Sequence, residues 1–246
     1  MALQIGSRTF APSLVGTALA LLGIASVSHL GVWQLNRAAE KRAILAQISA
    51  GESSTRSLMT ADTDLPRYQT VTAEGHYDAA HQVLLDNMPS PHGMPGFRVL
   101  TPFQLQDGSW VLVDRGWMPM GPTRTALPAI DVAANERSIV GRIDDVPRPG
   151  LRLGSAPSGE GWPRVMNFPL HEDLERALDR RLAKRIVRLD PAQSDGYERT
   201  FAMREDFGPN RHIAYAVQWF ALAATMLVVY VLVNLKPKQH DAPRST

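Results

Sequence analysis

The 246-residue chain contains no cysteine. Disulfides, thiolate metal sites and cysteine nucleophiles are excluded together. The short motifs that carry most enzyme chemistry are also missing: there is no G-x-S-x-G, no H-E-x-x-H, no P-loop and no G-x-G-x-x-G. Charge of one sign is scarce too, with 26 Lys and Arg against 24 Asp and Glu and a net charge of +2. The basic residues are scattered arginines with no lysine-rich arm or aromatic stacking motif, so no nucleic-acid partner is expected. Asp144 and Asp145 are neighbours, and neighbours on a strand face opposite ways. They mark a turn rather than an acid/base dyad.

What the chain does have lies at its two ends. Mean hydropathy is only −0.15, yet Phe10 to Leu35 ("FAPSLVGTALALLGIASVSHLGVWQL") and Ile213 to Leu235 ("IAYAVQWFALAATMLVVYVLVNL") carry no formal charge. Crossing the hydrocarbon core takes about 20 mostly apolar residues, so two transmembrane helices are expected. The first run exceeds a signal-peptide core of about 7–15 residues and has no clear small-x-small cleavage site after it, which favours a retained anchor. With no long Arg- and Ser-rich leader, the expected home is a bacterial plasma (inner) membrane.

The expected division is a tail at 1–12, a membrane helix at 13–35, a central domain at 36–211, a second membrane helix at 212–235 and a tail at 236–246. Both tails then share one side. The flanking charges do not decide which: Arg8 stands alone before the first helix, while Arg37, Lys41 and Arg42 follow it.

"LNRAAEKRAILAQI" predicts a helical extension leaving the bilayer at Asn36–Arg37, and Gly51 to Asp64 reads as a loop. Strand patterns follow in "YQTVTAEGHY", "HQVLLDN", "GFRVLTPFQL" and "SWVLVDRGW". Asp107-Gly108 between the last two is a strong hairpin signal. Pro102 places its part of the strand at an edge or bulge. After a stretch rich in Pro and Gly, "RSIVGRI" predicts another strand. "PLHEDLERALDRRLAKR" predicts the one soluble helix, with Leu174, Leu178 and Leu182 on one face, acids at its start and bases at its end. "RIVRLD" and "YERTFAM" read as closing strands. The expected fold class is a membrane α+β protein: two transmembrane helices flanking a mostly antiparallel, barrel-like β domain with one or two helices.

Within the membrane helices, Gly16, Ala20, Gly23 and Val27 form a small-residue stripe with Gln34 at its far end. Ala214, Gln218, Ala221 and Thr225 form a comparable stripe on the second helix, and the two are expected to face each other. On another face His212 groups with Tyr215, Ala216 and Trp219, then Ala223 and Met226. A boundary histidine beside small and aromatic residues suits a flat apolar macrocycle with imidazole as axial ligand to its iron. The same residues also suit interfacial anchoring, with the histidine meeting headgroups and water. His29, four residues before Trp33, is a weaker second candidate. His76, His81 and His92 imitate a metal cluster without meeting zinc spacing and read as loop histidines.

Three segments carry a resemblance. "LGVWQLNRAAEK" (Leu30 to Lys41), "GFRVLTPFQLQDGSWVLVDRGWMP" (Gly96 to Pro119, with an Arg-Gly-Trp signature) and "GPNRHIAYAVQWFALA" (Gly208 to Ala223) resemble, in order and spacing, the Surfeit-locus-1 family of cytochrome c oxidase assembly proteins. The resemblance implies an assembly factor, not an enzyme, acting on subunit I of a haem-copper oxidase. It implies a periplasmic central domain, membrane lipid around two helices, and haem a held through His212, with Tyr215 and Trp219 lining the macrocycle and haem A synthase as a further partner. The alternative is a haem-free scaffold that stabilises an early subunit I intermediate. Arg211 stands where relatives often carry asparagine; snorkelling to lipid phosphate is favoured over pairing with a haem propionate. For Arg115, Gly116 and Trp117 the expectation is structural, with glycine allowing close packing and Trp117 sealing a surface.

Overall fold

The computed structural model describes residues 3–5, 8–61, 64–86, 88, 90, 93–123, 126–147, 161–199 and 208–237. In chain order the elements are β1 (Leu3–Ile5), β2 (Arg8–Phe10), α1 (Leu14–Glu52), β3 (Thr55–Ser57), β4 (Thr70–Tyr77), β5 (Val83–Leu85), β6 (Gly96–Leu105) and β7 (Trp110–Pro119). There follow β8 (Arg137–Asp144), β9 (Arg164–Met166), α2 (His171–Leu178), β10 (Ile186–Leu189), α3 (Pro209–Asn234) and β11 (Leu235–Pro237). Two compact units result: residues 46–201, and the chain ends 1–45 with 202–246.

In the central unit, period-two alternation sends one row of each strand inward. Val71, Ala73 and Tyr77, Phe103 and Leu105, Val111 and Val113, Ile139 and Ile143, and Val187 and Leu189 share one buried cluster. Burying each of the larger side chains stabilises by about 1.5–3 kcal/mol. To keep that cluster dry the sheet closes: β4 pairs with β8, β8 with β10, β10 with β7, β7 with β6, and β6 returns to β4. This five-stranded ring has no free edge. All its pairings are antiparallel except β10 with β7. Outside it, β3 pairs with β4, and β5 and β9 continue from β6. A second cluster packs Leu174 and Leu178 of α2 over Val83, Leu100, Leu112 and Ile186.

Several sequence expectations change. The hairpin at Asp107-Gly108 is present, with Gly108 at φ +85 and Gln104 opposite Trp110. Pro102 is neither at an edge nor in a bulge. Its carbonyl accepts from Asp78 N–H at 2.9 Å, where the partner of β6 changes from β5 to β4. The ring nitrogen on that side needs no acceptor there. The soluble helix is only α2, because Asp179 turns left-handed (φ 51) and ends it. Leu182 is buried all the same, from irregular chain. The loop after α1 contains β3. Of "YERTFAM", Tyr197 to Arg199 are described, with Glu198 bridging Trp117; Thr200 to Met203 lie outside the described residues.

The other unit is built on α1 and α3, two helices long and apolar enough to cross a membrane, whose most apolar windows are 6% and 11% buried. Such exposure of apolar side chains suits lipid rather than water. The helices run antiparallel: at one end Tyr230 Oη lies 2.8 Å from Thr17 Oγ1, and Phe10 meets the Tyr230 ring edge-on at 6.0 Å. Beyond that end β2 pairs with both β1 and β11. Helix α1 presents the expected small face, joined by Gly31, where an added Cβ would come within 2.8–3.0 Å of three Phe220 ring atoms. The stripe expected on α3 is wrong. Ala214, Gln218, Ala221 and Thr225 are exposed, and His212, Ala216, Trp219, Ala223, Met226 and Tyr230 form the inward face instead. Thr225 satisfies its hydroxyl within its own helix, on the Ala221 carbonyl at 2.9 Å. His212 and Tyr230 find their partners on α1.

Candidate functional site at the head of the second apolar helix

Gly208 in extended conformation, followed by Pro209, starts α3 abruptly. His212 therefore falls in the first turn, directly after Arg211, where the charged chain gives way to the apolar run. Its half-buried ring places Nδ1 2.8 Å from Oε1 of Gln34 on α1. Gln34 occupies the matching level on its own helix, three residues before Arg37, which pairs with Glu40 at 2.7 Å. Among the described residues no hydrogen bond reaches Nε2 of His212.

The three residues expected to share a site are divided by the helix pair. His212 and Trp219 lie on the inward face and are partly buried, whereas Tyr215 is 40% exposed, its ring 6.0 Å from the Arg211 guanidinium carbon. The expected groove of small residues is not open: Ala216 and Ala223 are buried in the pair. Of the two expected aromatics, Tyr215 is thus the exposed one, and Trp219 lies toward the seam. The donor set fits an iron macrocycle in kind: among the described residues one imidazole nitrogen of His212 has no hydrogen bond, and the exposed Tyr215 ring lies one turn further along the helix.

In the central unit the Arg-Gly-Trp signature sits on a β-bulge. Arg98 faces Trp117 and Leu100 faces Asp114, so β7 carries one more residue than β6 across this interval. Gly116 makes this conformation accessible, at φ +112, and packs so tightly that a Cβ would lie 2.8 Å from the Glu198 carbonyl oxygen. Asp114, with a fully buried side chain, accepts from Gly116 N–H at 3.0 Å and from Arg98 Nε at 2.9 Å. Trp117 is 4% exposed and donates Nε1–H to the Met88 carbonyl at 2.7 Å.

Arg115 is only 2% exposed and donates to the carbonyls of Asp195 (2.7 Å), Ile130 (3.1 Å) and Asp131 (3.0 Å) and to Gln82 Oε1 (3.0 Å). It ties two loops to the barrel with no carboxylate among these acceptors. Beside it, burial pushes the Tyr77 hydroxyl well above an ordinary phenol, with Asp195 adding to the shift against Arg115, Arg137 and Arg199. The signature is a structural joint, as its residue types suggest.

Residues 21–224 match the SURF1 family. The chain belongs to this family. A SURF1-like protein of Rickettsia bellii is 27% identical, with 82% of this chain and 83% of that protein aligned. SURF1-like proteins of Rickettsia felis and Rickettsia conorii are each 26% identical, again over 82% of this chain and over 89% and 84% of theirs. The family match spans Gln34, the Arg115–Trp117 bulge and His212, and family membership implies a role in cytochrome oxidase assembly.

Of the other described histidines, His171 lies on α2 with Nε2 3.4 Å from Glu175. His29 and Trp33 are exposed on α1. His81 Nδ1 lies 2.8 Å from Asp78 Oδ2, and its ring meets Trp162 edge-on at 4.8 Å. His76 is exposed on β4, and His92 lies outside the described residues. Among the described residues no three His, Asp or Glu side chains are placed to share a metal. Sequence reasoning did not pair Gln34 with His212. The available signal was a polar residue at the same depth on each apolar helix, since such residues pair with one another.

Proposed function

We propose that this SURF1-family chain is a two-pass assembly factor of the bacterial plasma membrane that holds haem a for delivery into subunit I of a haem-copper oxidase. His212 supplies the axial nitrogen, Tyr215 borders the macrocycle while Trp219 backs it from the seam of the helix pair, and the barrel domain, on the periplasmic side, holds the subunit I precursor. Haem A synthase is the source of the group, and membrane lipid surrounds the helix pair. Bound haem a brings an iron centre that accepts imidazole. The chain's own part is to bind, orient and release it, with no covalent step of its own.

The observation that carries this reading is a half-buried imidazole between two apolar helices, with one ring nitrogen engaged and, among the described residues, no hydrogen bond to the other. Family membership supports the oxidase, and the exposed apolar faces of α1 and α3 support the membrane.

The test is genetic. In a host lacking the native gene, wild-type protein restores haem a in assembled oxidase, and His212→Ala, present in the membrane at equal level, does not. Full restoration by His212→Ala removes the ligand role and leaves the haem-free scaffold.

A further inference from the structure

The Gln34 contact has a consequence for which atom of His212 can act as a ligand. A neutral imidazole has one N–H donor and one lone-pair acceptor, and the partner of one nitrogen sets the state of the other. The Gln34 carbonyl oxygen, Oε1, faces Nδ1 at 2.8 Å, and in this amide orientation the accepting oxygen calls for the proton on Nδ1. Nε2 then holds the lone pair and, among the described residues, accepts nothing. We infer that Gln34 is a positioning residue: it selects the Nδ1–H tautomer of His212 and so presents Nε2 as the ligating atom. This rests on the haem reading for its purpose but not for its geometry, which is set within the helix pair itself.

The chemistry explains why an amide suits this position. Near the end of an apolar helix, glutamine supplies an acceptor without bringing a charge into the pair. It also fixes ring orientation, as outer partners of ligating histidines do; removing such partners from metal sites lowers affinity by about 10- to 100-fold. Because Gln34 sits on α1 and His212 on α3, the ligand is oriented only while the two helices are paired. The reversed amide would donate to Nδ1 and put the proton on Nε2, abolishing the ligand. The two orientations make opposite predictions.

The experiment uses the full chain in detergent micelles with 15N-labelled histidine, and the His212 signals are assigned by their loss in His212→Ala. Without haem, wild type is expected to show a pyrrole-type Nδ1 and a pyridine-type Nε2. Gln34→Glu, recorded at alkaline pH where the carboxylate only accepts and the imidazole is neutral, keeps that pattern, and Gln34→Leu loses it. A pyridine-type Nδ1 in the wild type, or an unchanged pattern in Gln34→Leu, overturns the inference whatever haem does. With haem a supplied, Gln34→Leu is expected to bind at least about tenfold more weakly and to shift the iron–histidine stretch in resonance Raman spectra. Unaltered affinity and stretch overturn it as well. Wild type that binds no haem a, but shows the predicted tautomer lost in Gln34→Leu, supports the tautomer selection while the haem reading fails.

Discussion

Replacing Arg115 with methionine gives a quantitative test of the bulge as a structural joint. Of its four main acceptors, two keep other donors: the Ile130 carbonyl retains Gln82 Nε2 at 3.0 Å, and Gln82 Oε1 retains Thr101 Oγ1 at 2.7 Å. The Asp195 and Asp131 carbonyls lose the guanidinium, their only side-chain donor among the described residues. Leaving a buried acceptor unpaired costs about 1–3 kcal/mol, and both carbonyls are close enough to the surface for water to recover part of it. Methionine fills similar space and needs no desolvation of a charge, which offsets more. The net loss is on the order of 3 kcal/mol. With a urea slope of about 2 kcal/mol per molar for a domain of this size, the midpoint falls by about 1.5 M. Urea unfolding of the full chain in detergent, followed by the β signal in circular dichroism, measures it. Arg115→Lys should fall between, since one ammonium cannot span loops that the planar fork reaches together. A midpoint for Arg115→Met within about 0.5 M of wild type would falsify the joint, given the slope used.

Two further outcomes are expected. Gly31→Leu puts branched bulk against the Phe220 ring and should destabilise the helix pair by about 1–3 kcal/mol. It should lower the thermal midpoint in detergent by several degrees, whereas Val32→Leu on the exposed face leaves it unchanged; equal midpoints for the two would show that the helices do not pack at Gly31. At Asp78, burial opposes ionisation, but His81 and Arg180 outweigh it and hold the carboxyl below its ordinary value of 3.8. A depressed carboxyl contributes stability above its unfolded pKa and loses it as pH falls through the lower folded one. The stability difference between wild type and Asp78→Asn should thus be larger at pH 6 than at pH 3, and a difference constant over that range contradicts the assignment.

Much of the fold was legible where local rules act. The Asp107-Gly108 turn, the alternation of β4, β6, β7 and β8, and both apolar helices follow from spacing alone. The barrel-like class was expected as well, but not which strands close it, because the β4–β6 pairing brings Tyr77 opposite Phe103 across an intervening strand and turn that local pattern cannot register. Nor were β1, β2, β3, β9 and β11, each three residues long, since so few positions carry no period. The helix through Leu182 was over-extended because a leucine every fourth residue continued past Asp179, whose left-handed turn leaves no trace in apolar periodicity.

The helix pair shows the same limit. Two stripes on α3 share the same four-and-three spacing, and small side chains favoured the wrong one. Hydrogen-bonding need was the better guide: Thr225 is satisfied locally, while His212 and Tyr230 reach across to Gln34 and Thr17. His212 was legible as chemistry, but its partner on the other helix was not. The macrocycle groove drawn from one helix face disappears once the second helix occupies it.

Ligation of haem a by His212 is directly observable. The most direct measurement is the optical spectrum of the full chain purified after co-expression with haem A biosynthesis. Wild type should carry a haem a spectrum with an imidazole-ligated iron, and His212→Ala should lose or alter it. No haem a on the wild type, or the same spectrum on both proteins, contradicts the account.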